Sequence, residues 1–262
     1  MKTNVIYNED CLEGMKRIPD NSIDMILADL PYGTTACKWD SIIPLDKLWK
    51  QYKRIIKDRG AIILTASQPF TTKIISGNME WFKYEWLWIK DKPSNFMLAK
   101  KQPMKYHENI LVFYKNQSTY NPQMEKRLEK NKRDNKPRLN KNNICDTELY
   151  CEESKGNRDV IFPKSYQKFN KERSKEKHPT QKPVALFEYL IKTYTNENEI
   201  VLDNVIGSGT TAVACLKTNR KFIGFEKEKE YYNIALKRIG KFDKKYYEQL
   251  PEEEKPNQTR LF

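Results

Sequence analysis

The chain has 262 residues and a formal net charge of +13, a length that suits one α/β domain carrying an insertion or a small lobe. Hydrophobic residues make up 38% and charged residues 32%. No apolar run approaches the ~20 residues of a membrane span, and none near Met1 forms a signal peptide, so a cytoplasmic protein with no membrane partner is expected.

The first block covers 1–114. Asn4–Tyr7 reads as a strand followed by a turn at Asn8-Glu-Asp10, and Ser22–Ala28 is an apolar strand running straight into Asp29-Leu-Pro-Tyr-Gly33. Leu45, Leu48, Trp49, Tyr52, Ile55 and Ile56 fall at helical spacing, and Gly60 sits where a C-terminal cap belongs. Ala61–Thr65 is a short buried strand, and Tyr84–Ile89 and Asn109–Tyr114 are aromatic-rich strands. Strands alternating with helices predict a doubly wound, Rossmann-like, mainly parallel sheet.

Residues 115–177 differ in character. They hold 17 Lys/Arg against 10 Asp/Glu, so over half of the net charge lies in them. Aliphatics are scarce, and Tyr120, Tyr150, Phe162, Tyr166 and Phe169 stand singly among the charges. A basic, DNA-facing target-recognition insert is expected, against the competing account of a solvated segment. Lysine far outnumbers arginine, so AT-rich coding is a second account of the charge.

The second block covers 178–241. A helix carries Leu186, Phe187, Leu190, Ile191 and Tyr194, the strand Glu199–Asp203 follows, and a glycine turn leads into a helix over Thr210–Thr218. Lys221–Glu226 is a strand, and an amphipathic helix spans about Lys229–Ile239. The charged stretch 242–262, with Pro251 and Pro256, reads as a flexible tail.

The five cysteines, Cys11, Cys37, Cys145, Cys151 and Cys215, form no C-x-x-C pair. A zinc site and a disulfide framework are therefore not expected, and the charge favours a polyanion, most simply nucleic acid.

Two stretches carry chemistry. Asp203-Asn-Val-Ile-Gly-Ser-Gly-Thr-Thr211 is a strand-to-helix turn whose Gly207 and Gly209 admit a ligand close to the backbone. No Gly-Lys-Ser/Thr follows, so it is not a P-loop, and Glu226 after the next strand can accept ribose hydroxyls. An ordinary tight turn with a surface glutamate is the plainer alternative. The second stretch, Asp29-Leu30-Pro31-Tyr32, sits at a strand's carboxyl end. The exocyclic amine of a nucleobase is a poor nucleophile because its lone pair is delocalised. Asp29 and the backbone carbonyl of Leu30 or Pro31 can accept its two hydrogens, Pro31 stiffens the turn, and Tyr32 offers a stacking face. A simple post-strand turn is the alternative here.

Asp29-Leu-Pro-Tyr32 resembles the D-P-P-Y motif of S-adenosylmethionine-dependent amino-methyltransferases acting on DNA, and Asp203–Thr211 resembles their D-P-F-x-G-S-G-T-T cofactor loop. His178-Pro-Thr-Gln-Lys-Pro183 is similar to their H-P-T-x-K-P motif, and Asp10-Cys11 to their G-D-C element. The order, catalytic motif before cofactor loop, is that of the permuted, beta-type adenine-N6 enzymes of restriction–modification or phage type. Leu30 replaces the first Pro, and Asn204-Val205 replace Pro-Phe.

The resemblance implies a site-specific DNA methyltransferase that moves a methyl group from S-adenosyl-L-methionine to the N6 amine of a flipped-out adenine in double-stranded DNA, with no metal required. It implies that Asp29, Leu30, Pro31 and Tyr32 are catalytic. It also implies that Asp203, Gly207, Ser208, Gly209 and Thr210 hold the methionine and ribose side of the cofactor, Glu226 its ribose, Asp10 and Cys11 its adenine, and Thr180 and Lys182 its carboxylate. Cytosine N4 or an RNA amine is the alternative target. A DNA-binding protein on an inactive scaffold is the non-enzymatic alternative. An oligomer is compatible with either. Gln258-Thr-Arg-Leu-Phe262 resembles the short peptide by which bacterial DNA-processing proteins dock on the sliding clamp, with Thr259 in place of an apolar anchor; a frayed tail is the plainer account.

Overall fold

In β2, Ile23–Ala28, successive side chains point to opposite faces of the strand, and both sets are buried. Met25 and Leu27 enter one apolar cluster, while Ile26 and Ala28 enter another. A strand buried on both faces needs cover on both, and helices from the two halves of the chain supply it.

The computed structural model describes residues 1–33, 40–127, 159–170, 181–244 and Glu248. Two compact units divide the chain, Met1–Asn121 with Ser165–Phe262, and Pro122–Lys164. The larger unit holds β1 (Val5–Tyr7), α1 (Cys11–Met15), β2, α2 (Leu45–Ile55), β3 (Ile56–Ala66), α3 (Phe70–Ser76), β4 (Phe82–Ile89) and β5 (His107–Phe113). It continues, past the strands β6 (Glu125–Lys126) and β7 (Val160–Ile161) of the smaller unit, with β8 (Tyr166–Lys168), α4 (Val184–Tyr194), β9 (Ile200–Asp203), α5 (Thr210–Lys217), β10 (Lys221–Phe225) and α6 (Lys229–Phe242).

Eight strands form one sheet in the order β1-β10-β9-β2-β3-β5-β4-β8. β1 to β3 pair in parallel through β10 and β9, β5 runs antiparallel to β3 and β4, and β8 is parallel to β4. The sheet is therefore mainly parallel, as expected. α1, α2 and α3 pack with Ile26, Ile62, Leu64 and Phe113 on one face, through Met15, Trp49, Tyr52 and Phe70. α4, α5 and α6 cover Met25, Leu27, Ile63 and Val112 on the other, through Phe187, Val213 and Leu236. Each fully buried Leu, Ile or Phe contributes about 1.5–3 kcal/mol. No described helix is long and apolar enough to cross a membrane.

The helical stripe expected around Leu48, Trp49, Tyr52 and Ile55 forms α2 and is buried. The cap expected at Gly60 does not form. α2 ends at Ile55, and Gly60 lies inside β3, where the register with β2 shifts between the pairs Ile23–Ile56 and Met25–Ala61. A Cβ there would come within 2.8 Å of the Asp24 carbonyl oxygen, so close approach of backbone, not helix termination, selects glycine. The short helices α1 and α3 and the strand β8 have no counterpart in the sequence reading.

The insert expected over 115–177 has narrower limits as a compact unit. Asn121 N donates to the Thr193 carbonyl at 2.7 Å, and β8 joins the main sheet, so 115–121 and 165–170 belong to the larger unit. In the smaller unit β6 and β7 form an antiparallel pair. Residues 171–180, with His178 and Thr180, and the stretch Gln258–Phe262 lie outside the described residues.

Candidate active site

The order of strands turns outward in both directions from the middle of the sheet: β2 leads to β3 on one side, and β9 leads to β10 on the other. The crevice at such a reversal, beyond the carboxyl ends of the strands, is where open α/β sheets bind ligands. Asp29 follows β2, Asp203 ends β9, Glu226 follows β10, and Asp10 lies just beyond β1. All four line one cavity of about 870 Å³. A second cleft of about 550 Å³ lies near the amino ends of β2 and β9, around Asp24, Lys57 and Glu199, away from every residue singled out by the motifs.

The glycine turn is built from its own backbone outward. Gly207 and Gly209 take positive φ, 54° and 81°. At Gly209 an added Cβ would stand 3.1 Å from the Cβ of Ala235 in α6, so helix packing as well as conformation demands glycine. Asp203 accepts from Val205 N at 3.1 Å and from the Thr211 hydroxyl. Burial pushes its carboxyl up to about 7 against those hydrogen bonds. Glu226 accepts from Gly207 N at 2.9 Å and Glu228 N at 2.8 Å, which ties β10 to the turn. Burial raises this carboxyl too. Arg238 of α6 supports the turn from behind, donating to Thr210 Oγ1 at 2.9 Å and Ser208 Oγ at 3.3 Å.

Asn204, where the family motif has Pro, is buried. It accepts from the Tyr52 hydroxyl at 2.5 Å and donates to Cys11 Sγ at 3.5 Å, joining the turn to α1 and α2. Burial raises the Cys11 thiol to about 11. Asp10 caps α1, accepting from Leu12 N at 2.8 Å.

Asp29 is held by three donors. Tyr32 Oη donates to Oδ1 at 2.9 Å, the Thr65 hydroxyl of β3 also donates to Oδ1, and Lys182 Nζ donates to Oδ2 at 2.7 Å. An ionised carboxylate has about four acceptor sites, so one stays available. The Tyr32 ring stacks on Phe70 of α3 at 5.2 Å, and Lys182 Nζ lies over the ring, 5.7 Å from its centroid. Burial, then the Asp29 charge, holds the Tyr32 hydroxyl well above its ordinary range. Leu30 is buried and Pro31 lies at the cavity wall.

Lys182, expected beside a cofactor carboxylate, lines the same cavity. Its backbone carbonyl lies 3.5 Å from Thr210 Oγ1 at the start of α5, while Nζ reaches Asp29 and, at 3.2 Å, Glu108 Oε2. Burial opposes its charge, but Asp29, Tyr32 and Glu108 outweigh that and raise its pKa. Lys182 thus spans the glycine turn and the Asp29 turn. Glu108, at the start of β5, was missed by sequence reasoning, as were Lys90, Thr65, Tyr52 and Arg238. Lys90 Nζ donates to Glu108 Oε1 at 3.0 Å with its own side chain fully buried. Burial pushes the Glu108 carboxyl up, yet the two lysines bring it below the usual range.

A nucleoside cofactor with a cationic end fits these residues. Asp203 and Glu226 suit cation and diol, and the glycine turn leaves no side chain at Gly207 and Gly209 to block approach. The sheet order and the acids at the strand ends define the class, a Rossmann-like α/β protein with a cavity suited to a nucleoside cofactor. Residues 23–237 match the N6_N4_Mtase family, described as DNA methylase, and the chain belongs to that family. The type II methyltransferase M.HinfI of Haemophilus influenzae is 29% identical, over 90% of this chain and 68% of that protein. DNA adenine methyltransferase YhdJ of Escherichia coli K12 is 28% identical, over 91% of this chain and 83% of that protein. Among solved structures, an M1.HpyAVI–SAM complex superposes with a TM-score of 0.58 at 24% identity, covering 89% of this chain and 97% of that one, a likeness of fold.

Proposed function

We propose that this protein is an S-adenosylmethionine-dependent methyltransferase that modifies the N6 amine of adenine in double-stranded DNA. The observation that carries the reading is Asp29, fixed by three donors with an acceptor site to spare, in the same cavity as Asp203 and Glu226. Family membership supports methylation of DNA, and the adenine assignment draws on the names of relatives such as YhdJ. Asp at the first motif position favours adenine over cytosine N4.

When bound, S-adenosylmethionine supplies an electrophilic methyl group. Asp203, Gly207, Ser208, Gly209 and Thr210 hold its methionine and ribose side, Glu226 accepts its ribose hydroxyls, and Asp10 and Cys11 border its adenine. The target base leaves the duplex and enters the cavity beside Tyr32. Asp29 accepts one N6 hydrogen and the Leu30 or Pro31 carbonyl the other, which localises the nitrogen lone pair toward the methyl carbon. The new N6–methyl bond would form as the sulfonium–methyl bond breaks, leaving S-adenosylhomocysteine as the neutral thioether, and one N6 proton would pass by way of Asp29 to solvent; holding the two partners in place suffices, so no covalent intermediate with the enzyme is required. Lys182 holds Asp29 in place, and Thr180 keeps the cofactor-carboxylate role that its motif implies.

Single-turnover methylation with Asp29→Asn tests this. The amide keeps the shape but loses the negative charge and turns one acceptor oxygen into a donor, so the rate falls by about 10²–10³ or more while cofactor affinity is nearly unchanged. A variant within a few-fold of wild type contradicts the assignment.

The basic insert expected over 115–177, whose compact unit is Pro122–Lys164, acts as the target-recognition region, with 1–114 and 178–241 as the catalytic and cofactor halves, and the protein works in the cytoplasm. The 242–262 tail serves as a tether: Gln258–Phe262 docks on a sliding clamp, which raises the effective concentration at newly made DNA. A peptide of residues 253–262 is expected to bind a bacterial clamp at micromolar affinity in fluorescence polarisation. No binding at high micromolar clamp retires the tether without touching the enzymatic reading.

A further inference from the structure

β4 runs parallel to β3, so its carboxyl end and the start of β5 lie at the same edge of the sheet as Asp29. The connection between them, residues 90–106, rises beside the cavity. Pro93, Asn95, Leu98 and Lys105 line the cavity together with Asp29 and Tyr32. The base of this loop is pinned. Lys90 Nζ donates to Ser94 Oγ at 2.9 Å, and Asn95 Oδ1 accepts from Lys105 N at 2.6 Å while its Nδ2 donates to the Pro103 carbonyl at 3.1 Å. Lys105 also donates to Ser67 beyond β3.

The tip is unlike the base. A single 3-10 turn, Phe96–Leu98, projects apolar side chains into solvent, with Phe96 72% and Met97 93% exposed. Leaving two large apolar side chains in water gives up their burial energy, so such a patch marks a surface that another molecule covers. Its rim names the partner's charge. Lys92, Lys100 and Lys101 are all exposed, with Asp91 the one acid between residues 90 and 106. An apolar tip within a cationic rim, held at the mouth of a cavity that must receive a base, is complementary to a duplex opened at one step.

We propose that this loop is the element that invades the DNA. Met97 and Phe96 enter the base stack where the target adenine leaves it, and Lys100 and Lys101 hold flanking phosphates. The inference rests on the DNA-methylation reading above and assigns the opening of the duplex to residues outside the methyl-transfer motifs.

Single-turnover methylation is measured on two duplexes carrying the sequence that is modified in cells expressing the chain. In one the target adenine is paired, and in the other it faces an abasic site, where extrusion is cheap. F96A/M97A is expected to slow methylation of the paired duplex by about tenfold or more and to return to within about threefold of wild type on the abasic duplex. Cofactor affinity by calorimetry is unchanged. K100Q/K101Q is expected to weaken duplex binding and flatten its salt dependence by about 0.9 in log–log slope per lost phosphate contact. Equal losses on both duplexes, or none, overturn the proposal. So does conversion of a dimer to a monomer in sedimentation with both rates kept, which makes the patch a contact between copies. A wild-type protein inactive on both duplexes overturns the methylation reading itself.

Discussion

Asp203 joins structure to pH. Its carboxyl, buried at the end of β9, titrates near about 7 rather than in the usual carboxylate range. In the cofactor-free protein the native state therefore binds more protons than the unfolded state between about pH 4 and about pH 7. The contribution of this group to stability is present below that window and is lost as pH rises through it. Cofactor binding has the opposite sign, because a cationic ligand favours the ionised form. Affinity for S-adenosylmethionine is expected to weaken as pH falls below about 7, by up to about tenfold per pH unit, with a proton released on binding. Calorimetry in buffers of different ionisation enthalpy reads both effects. Asp203→Asn should flatten the profile down to the part that Glu226, also raised by burial, contributes. A wild-type affinity constant from about pH 6 to about pH 8 contradicts this account.

The glycine turn between β9 and α5 is the element proposed to hold the cofactor. Gly209 has φ of 81° and Ala235 of α6 at its back, so Gly209→Ala strains the backbone and pushes on α6 together. A loss of about 1–3 kcal/mol in stability is expected, with weaker cofactor binding, by denaturant titration and calorimetry. An unchanged midpoint and affinity would mean the turn is not held as described. This element was legible in the sequence because its signals are local: an apolar strand, two glycines, a helix and an acid after the next strand. β2 with Asp29, and α2 with its stripe, were legible for the same reason. Short helices such as α1 and α3 complete too few turns for a periodicity to register. Gly60 misled because a glycine after a helical stripe looks alike as a cap or as a point of close approach to Asp24, and only the register of β3 against β2 distinguishes them. Glu108 gave no signal because its partner Lys182 lies far along the chain, and Lys90 gave none because its meaning lies in its contact with Glu108.

At the scale of the molecule, two halves of the chain meet at one edge of the sheet: Asp29 with Lys182, and Tyr52 with Asn204. A permuted motif order is harmless to this arrangement, because the sheet brings β2 and β9 side by side whichever comes first. Charge is distributed to match. The cavity collects acids for a cationic cofactor, while the net +13 favours a polyanion. Contacts with phosphates offset the few kcal/mol needed to extrude a base. The most direct measurement incubates the purified protein with duplex DNA and S-adenosylmethionine carrying a labelled methyl group, digests the DNA and identifies the labelled nucleoside by mass spectrometry. Label in N6-methyldeoxyadenosine is the predicted result. Label in N4-methyldeoxycytidine, or no label in DNA from a preparation that binds the cofactor, contradicts it.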